Sequence, residues 1–137
     1  MTSRFKFRVY VESILPEETG VYEPEFISGF SHDLGIDKVY TKGYKFTSDT
    51  SKFTLLQFTG HTSIDDDEVY EGDILQFPDF DGDQPAYIMK WDHDEGAWSI
   101  MLEDKFPIGK AGLAQFMKVV GNIYENPELI SKELSDV

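Results

Sequence analysis

The sequence predicts a mostly β protein whose second half forms a small β-barrel. Hydrophobic and polar residues alternate along several short runs, as they do in half-buried strands. The chain contains 11 Phe, 7 Tyr and 2 Trp, and aromatic residues favour strands over helices. We interpret the stretch 52–74, which begins with an alternating apolar run, and the segment 119–127 as the first and last elements of the barrel.

The length of 137 residues fits one domain, or two small subdomains that share a core. We place these subdomains at 1–60, which is mostly β, and at 61–137, which contains the barrel. A chain of this length buries roughly two thirds of the surface that its unfolded state exposes, so it needs no covalent cross-link. The absence of cysteine excludes disulfides and cysteine-ligated zinc, and it suits a reducing compartment.

The elements of the first half follow from periodicity and turn residues. In the first strand, residues 5–12, apolar side chains occupy alternate positions. Proline and glycine interrupt residues 13–36 so often that we expect an irregular segment. Short strands are expected at 37–41 and 44–47, and a longer strand at 53–59 that ends at Gly60.

The second half begins with a predicted surface loop at 61–68. A strand at 74–77 is opened by Gly72, which permits the bend, and by Asp73, whose carboxylate can bind nearby backbone amides and fix the turn. Strands are then expected at 87–91 and 98–102, joined by an acidic hairpin loop at 92–96.

The closing part of the chain is predicted to hold a helical turn at 111–116 and a strand at 118–124. Gly121 marks a bulge or a close approach within that strand. A short C-terminal helix is expected to follow, with Asn126 as its N-cap and Pro127 at its first position.

The net charge of −14 is concentrated in the middle of the chain. Residues 61–104 carry fourteen acidic side chains and one basic side chain, Lys90, whereas the segments before and after are nearly neutral. An acidic surface repels phosphate, so direct binding of DNA or RNA is disfavoured there. A partner with a basic surface is favoured, although solvated loops would also carry such charge.

No residue set forms a convincing catalytic, cofactor or metal site. Ser31, His32 and Asp33 are neighbours in sequence and project in different directions, whereas a catalytic triad needs neighbours in space. The acidic run 65–68 fans its carboxylates apart, and the run 79–83 does not match the spacing of a calcium-binding EF-hand loop. We expect a hairpin turn at 79–83.

Three motifs in order resemble the YopX family, whose members are small proteins encoded by bacteriophages and prophages. They are Leu-Gln-Phe-Thr-Gly at 56–60, Val-Tyr-Glu-Gly-Asp-Ile at 69–74 and Val-Gly-Asn-Ile-Tyr-Glu-Asn-Pro-Glu-Leu at 120–129. The opening residues 5–8 and Trp91 are also similar to the family pattern. The sequence departs from that pattern at Val11, where a polar residue is usual, and in the acidic 61–68 loop, where many members carry lysines.

The resemblance implies an α+β or mostly β N-terminal part followed by an SH3-like barrel. It also implies a phage gene product in the bacterial cytoplasm, without an established enzymatic activity or cofactor. The residues that we expect to be architectural are Tyr70, Gly72, Asp73, Gly121, Asn122, Tyr124, Asn126 and Pro127. A partner surface, if the chain has one, is expected at Asp65, Asp66, Asp67, Glu68, Asp79, Asp81 and Asp83.

Four functions remain open on the sequence. The first is a non-enzymatic phage accessory protein that binds an unidentified host or phage protein. The second is an acidic mimic of nucleic acid that inhibits a host defence or DNA-processing protein. The third is a weak nucleic-acid-binding barrel that uses Arg4, Lys6, Arg8 and the basic residues of 38–45. The fourth, a metal-dependent enzyme, is disfavoured by the acid spacing, and exposed strand edges also allow a homo-oligomer.

Overall fold

A computed structural model describes residues 7–24, 26–30, 36–41, 44–78, 84–102 and 106–129. The chain is mostly β, as predicted, and it divides into two compact units, Met1–Gln57 and Phe58–Val137. The strands of the described residues are β1 (Phe7–Ser13), β2 (Gly20–Tyr22), β3 (Phe26–Phe30), β4 (Ile36–Thr41), β5 (Tyr44–Thr47), β6 (Ser51–Thr62), β7 (Glu68–Tyr70), β8 (Asp73–Gln76), β9 (Tyr87–Asp92), β10 (Ala97–Leu102), β11 (Phe106–Lys110) and β12 (Lys118–Asn122).

The first unit is organised around β1, which pairs antiparallel with β2 on one side and with β6 on the other. Val9 and Val11 of β1 are fully buried and pack with Val39 and Phe46. The predicted period-two strand is therefore confirmed over its described part. The buried positions are the ones that the alternation marked as apolar.

A second sheet in this unit contains β3, β4 and β5 in antiparallel order, so the strands predicted at 37–41 and 44–47 are confirmed. The prediction of an irregular segment at 13–36 was wrong in part, because β2, β3 and the first residue of β4 lie within it. Strand β2 has only three residues, too few for an alternating pattern to show, although Val21 and Tyr22 favour strands, and it pairs with β1. A short 3-10 helix, Pro16–Glu18, precedes it.

The second unit begins inside β6, whose residues after Gln57 pair with β7. We predicted that this strand would end at Gly60, but it continues to Thr62. The pairing shifts register between Phe58 and Thr62, so a bulge lets the strand continue past the glycine. The hydroxyl of Thr59 donates a 2.7 Å hydrogen bond to the carbonyl of Val69 across this pair.

The main sheet of the second unit has the strand order β11-β10-β9-β8-β12 and curls into a half-barrel. Its inner face buries Leu75, Met89 and Ile100, and these side chains pack with Ala114 and Met117 of the last part of the unit. The predicted strands at 74–77, 87–91, 98–102 and 118–124 are confirmed within one or two residues. Strand β11 was not predicted, because Pro107 and Gly109 argue against a strand interior; β11 is an edge strand, where proline is tolerated.

The predicted helical turn at 111–116 is a 3-10 helix, Ala111–Phe116, whose buried residues are Ala111 and Ala114. At the predicted start of the C-terminal helix the chain forms a turn, in which Leu129 N–H donates to Asn126 O at 3.1 Å. Residues 130–137 lie outside the described residues, so the helix itself stays a prediction. Within the described part of the chain, no helix has the length and apolarity needed to cross a membrane.

Replacing Leu75 with alanine should destabilise the protein by about 2–5 kcal/mol, because Leu75 is fully buried in the half-barrel core and truncation leaves a cavity. Urea denaturation measures the change. The control is Lys118→Ala on the exposed side of β12, which should change stability by less than about 0.5 kcal/mol. Equal losses in the two variants would contradict the assignment of Leu75 to the core.

Candidate functional site

The turn between β7 and β8 is held by the two motif residues at its ends. The side chain of Asp73 accepts a 2.8 Å hydrogen bond from the backbone N–H of Tyr70, and both residues are buried. The hydrogen bond expected between Asp73 and a backbone amide of the turn is therefore present. Gly72 adopts a φ of +86°, donates its N–H to Met89 O at 2.8 Å and accepts from Ile123 N–H at 2.9 Å. The turn is thereby tied to neighbouring backbone on two sides.

In the segment that follows β12, two asparagine side chains accept hydrogen bonds from nearby backbone N–H groups. Asn126 Oδ1 accepts a 3.1 Å bond from Asn122 N–H, while Asn122 Oδ1 accepts from the backbone N–H groups of Tyr124 at 3.0 Å and Glu125 at 2.8 Å. Gly121 makes this possible, because a Cβ there would lie 2.5 Å from Asn126 Oδ1. The pairing with β8 also skips Val120, between Val119 and Gly121, so Gly121 borders a bulge as well as being a close approach, where we predicted one or the other.

These two motifs meet at Gly72. A Cβ at this position would lie 2.9 Å from Cε2 of Tyr124 and 3.3 Å from Cγ1 of Ile123, so the Tyr124 ring packs directly on the glycine backbone. Of the residues expected to be architectural, Tyr70, Gly72 and Asp73 form this turn and Tyr124 packs on it, while Gly121, Asn122 and Asn126 form the network after β12. Pro127 follows as an exposed residue in the turn that Asn126 begins.

A cleft of about 290 Å³ opens beside this junction, and sequence reasoning did not anticipate it. It lies where β8 begins and β9 ends, and Trp91 in its wall is 41% exposed. The Trp91 ring contacts Trp98 edge-on, with centroids 5.3 Å apart and an interplanar angle of 78°. The polar and aromatic residues lining the cleft are Glu71, Lys90, Trp91, His93 and Tyr124.

The acidic loop after β6 is a tight turn centred on Ser63, which we call the acidic turn (residues 63–67). Ser63 is 3% exposed, and its hydroxyl accepts the backbone N–H groups of Asp65 and Asp67, each at 3.2 Å. Ser63 N–H donates to Asp67 O at 2.8 Å, and Asp66 N–H donates to Ser63 O at 3.0 Å. The side chains of Asp65, Asp66 and Asp67 are exposed, so a fixed backbone presents three carboxylates to solvent.

The acidic turn is anchored beside two exposed apolar side chains. Ile64 N–H donates a 2.9 Å hydrogen bond to Met117 O, and this places Ile64 alongside the end of the 3-10 helix that contains Phe116. Ile64 is 49% exposed and Phe116 is 57% exposed. Glu68, the last acidic residue of this run, is only half-buried at the start of β7.

The other acidic segments contribute differently. The hairpin predicted at 92–96 is confirmed, and Asp92 Oδ1 accepts from the N–H groups of Asp94 at 3.0 Å and Glu95 at 3.3 Å. Asp79, Asp81 and Asp83, together with the turn predicted at 79–83, lie outside the described residues. Among the residues that are described, no three His, Asp or Glu side chains converge as a metal site would require.

The fold and the site define a mostly β protein of two compact units. The second unit contains a half-barrel sheet and the turn centred on Gly72. The family model described as YopX protein matches residues 6–131, so the chain belongs to this family, as its motifs indicated.

Two solved structures share the fold. Protein EF1440 from Enterococcus faecalis is 19% identical with a TM-score of 0.53, and the alignment covers 94% of this chain and 99% of that one. Protein yopX from Bacillus subtilis is 15% identical with a TM-score of 0.52, and the alignment covers 90% of this chain and 96% of that one. No curated protein matches this chain in sequence. Identities this low establish a common fold and carry no activity.

Replacing Gly72 with alanine should destabilise the protein more than the same change at Gly96. Both glycines have positive φ, which strains an alanine by about 1–2 kcal/mol. Only the Cβ at Gly72 would also collide with Tyr124, which adds about 1–3 kcal/mol of overpacking, whereas Gly96 has nothing within 4 Å. Thermal and urea unfolding of the two variants measure the difference; equal losses would show that Tyr124 does not need the glycine.

Proposed function

We propose that this protein is a non-enzymatic phage or prophage accessory factor that acts in the bacterial cytoplasm by binding another protein. The partner is a host or phage protein with a basic surface. The observation that carries the proposal is the acidic turn, where three exposed aspartates are presented on a backbone fixed by Ser63. A preorganised charged surface loses little conformational freedom when it binds, which favours recognition.

The charge of the surrounding chain supports the same partner. Fourteen acidic residues and one basic residue lie between 61 and 104. A field of one sign accelerates association with a surface of the opposite sign and repels surfaces of the same sign. The exposed Ile64 and Phe116 beside the acidic turn add apolar area, which lets a protein partner bury more than charge.

Nucleic acid is a poor direct partner for this surface, since its phosphates carry the same charge. Mimicry of nucleic acid remains a second form of the proposal, because a mimic also binds a basic surface. Mimicry requires carboxylates at roughly the 7 Å spacing that phosphates have along one strand, a value estimated from the axial charge density of DNA. The compact turn at 63–67 is less suited to that than an extended run of acids would be.

The finer architecture belongs to the proposal as well. We propose that the half-barrel is of the SH3-like type and that a short C-terminal helix, begun at Asn126, follows it. The edges β11 and β12 leave open the pairing of two copies, which sedimentation over a range of concentrations would detect.

Neutralising the acidic turn should weaken capture of the partner and flatten its dependence on salt. The test compares the wild type with the triple variant Asp65→Asn, Asp66→Asn, Asp67→Asn. Each immobilised protein is exposed to lysate of prophage-carrying bacteria at salt concentrations from about 50 to about 500 mM, a range over which the screening length falls strongly. Proteins retained by the wild type at low salt should be reduced by about tenfold or more in the variant.

A variant of equal charge change separates the turn from the overall charge. Glu12→Gln, Glu17→Gln, Asp49→Asn neutralises three exposed acids in the first unit. This control should retain the partner nearly as well as the wild type. If both variants lost partner capture equally, the net charge and not the acidic turn would explain the loss. Unchanged capture by the turn variant would refute the proposal. A partner displaced by duplex DNA would identify the mimic form.

A further inference from the structure

The cleft beside Gly72 has a composition that the architectural role of the turn does not require. Two aromatic rings, Trp91 and Tyr124, and the carboxylate of Glu71 line the same space. Trp91 would gain burial from a ligand, since it is 41% exposed and packs on Trp98 only edge-on. Exposed tryptophan next to a carboxylate is the combination that binds a planar cation, through the ring face and through charge-assisted hydrogen bonds.

The backbone holds these walls in place. Gly72 N–H is bonded to Met89 O, two residues before Trp91, and Gly72 O is bonded to Ile123 N–H, directly before Tyr124. The ring of Tyr124 lies on Gly72, where a Cβ would meet it at 2.9 Å. The Tyr124 wall is therefore seated on Gly72, and the strand that leads to Trp91 is bonded to the same glycine, so a ligand would meet a preorganised backbone.

We propose that this cleft binds the guanidinium group of an arginine side chain presented by a basic protein segment. Arginine is chosen because its guanidinium is planar, stacks on aromatic rings and pairs with a carboxylate through two parallel hydrogen bonds. The inference rests on the proposed function, since it names how the basic partner is anchored, and it places the anchor at the cleft rather than at the acidic turn.

Charge selects the cation over a phosphate-bearing ligand of similar shape. Residues 61–104 carry a net charge of −13, so an anion entering the cleft would be repelled. The opposing groups at the cleft are Lys90, the sole basic residue of that segment, and the imidazole of His93. Lys90 consequently gives the two kinds of ligand opposite responses: its removal favours an arginine and disfavours a phosphate.

The full-length protein is titrated with a capped pentapeptide of sequence Gly-Gly-Arg-Gly-Gly, and the indole N–H signals of its two tryptophans are followed by NMR. The reference peptide carries citrulline, which keeps the shape of arginine without its charge. The arginine peptide should bind with a Kd of roughly 1–10 mM and shift the Trp91 signal. The citrulline peptide should bind at least about fivefold more weakly, as the loss of a charge-assisted pair requires.

Three variants test the named groups. Glu71→Gln should weaken the arginine peptide about five- to tenfold, and Trp91→Ala about two- to fivefold. Lys90→Gln should tighten it by about twofold, because a like charge is removed. Signal dispersion in the amide spectrum checks the folding of Trp91→Ala, and Glu71→Gln provides the answer without altering an aromatic contact.

Equal binding of the arginine and citrulline peptides, or no effect of Glu71→Gln, would overturn the inference. The inference would also be overturned if adenosine or guanosine monophosphate shifted the Trp91 signal more than the arginine peptide does and Lys90→Gln abolished that shift. The cleft would then bind a nucleotide. Partner capture separates the two proposals. If the acidic-turn variant loses partner capture and the arginine peptide does not bind the wild type, only the cleft proposal is refuted. If the arginine peptide binds but no partner is captured in a salt-dependent way, only the acidic-turn proposal is refuted.

Discussion

The second unit depends on the backbone of Gly72, where three segments of the chain are joined without a side chain between them. Its amide reaches β9 through Met89 O, its carbonyl reaches the closing segment through Ile123 N–H, and Asp73 beside it binds Tyr70 N–H. A φ of +86° is open to glycine at little cost. Because the Tyr124 ring packs on the backbone of Gly72, the glycine that permits the turn also contacts the segment that follows β12.

In the two proposals, the acidic turn and the cleft contribute to recognition in different ways. The carboxylates of the acidic turn are exposed, so each contact with a partner is screened by salt and contributes little by itself. Charge of this kind raises the rate of encounter and excludes anionic surfaces. A partly enclosed site with an aromatic wall instead slows dissociation, because it desolvates one side chain and holds it. The two features together would give a partner fast association and a defined position on the surface.

Sequence patterns predicted the elements whose own residues carry a clear pattern. Alternation located β1, since Val9 and Val11 face a core, and the glycine within β12 located the bulge beside Gly121. Strand β2 escaped prediction because three residues are too few to show an alternation, and β11 escaped because Pro107 and Gly109 argue against a strand. Ser63 escaped for a related reason: a serine that accepts two amides looks like any loop serine until the turn is closed.

The cleft could not be derived from the sequence, because its walls come from residues 71, 91 and 124 and depend on the register of three strands. The motif residues, by contrast, have their polar atoms directed at backbone groups: Asp73 at Tyr70, Asn126 at Asn122, and Asn122 at Tyr124 and Glu125. These side chains therefore hold the turn and the closing segment in shape. The cleft beside the turn is also lined by Glu71, Lys90 and Trp91, which are not among the residues expected to be architectural. A family resemblance based on these motifs therefore identifies a scaffold, whereas the proposed binding depends on the side chains beside them.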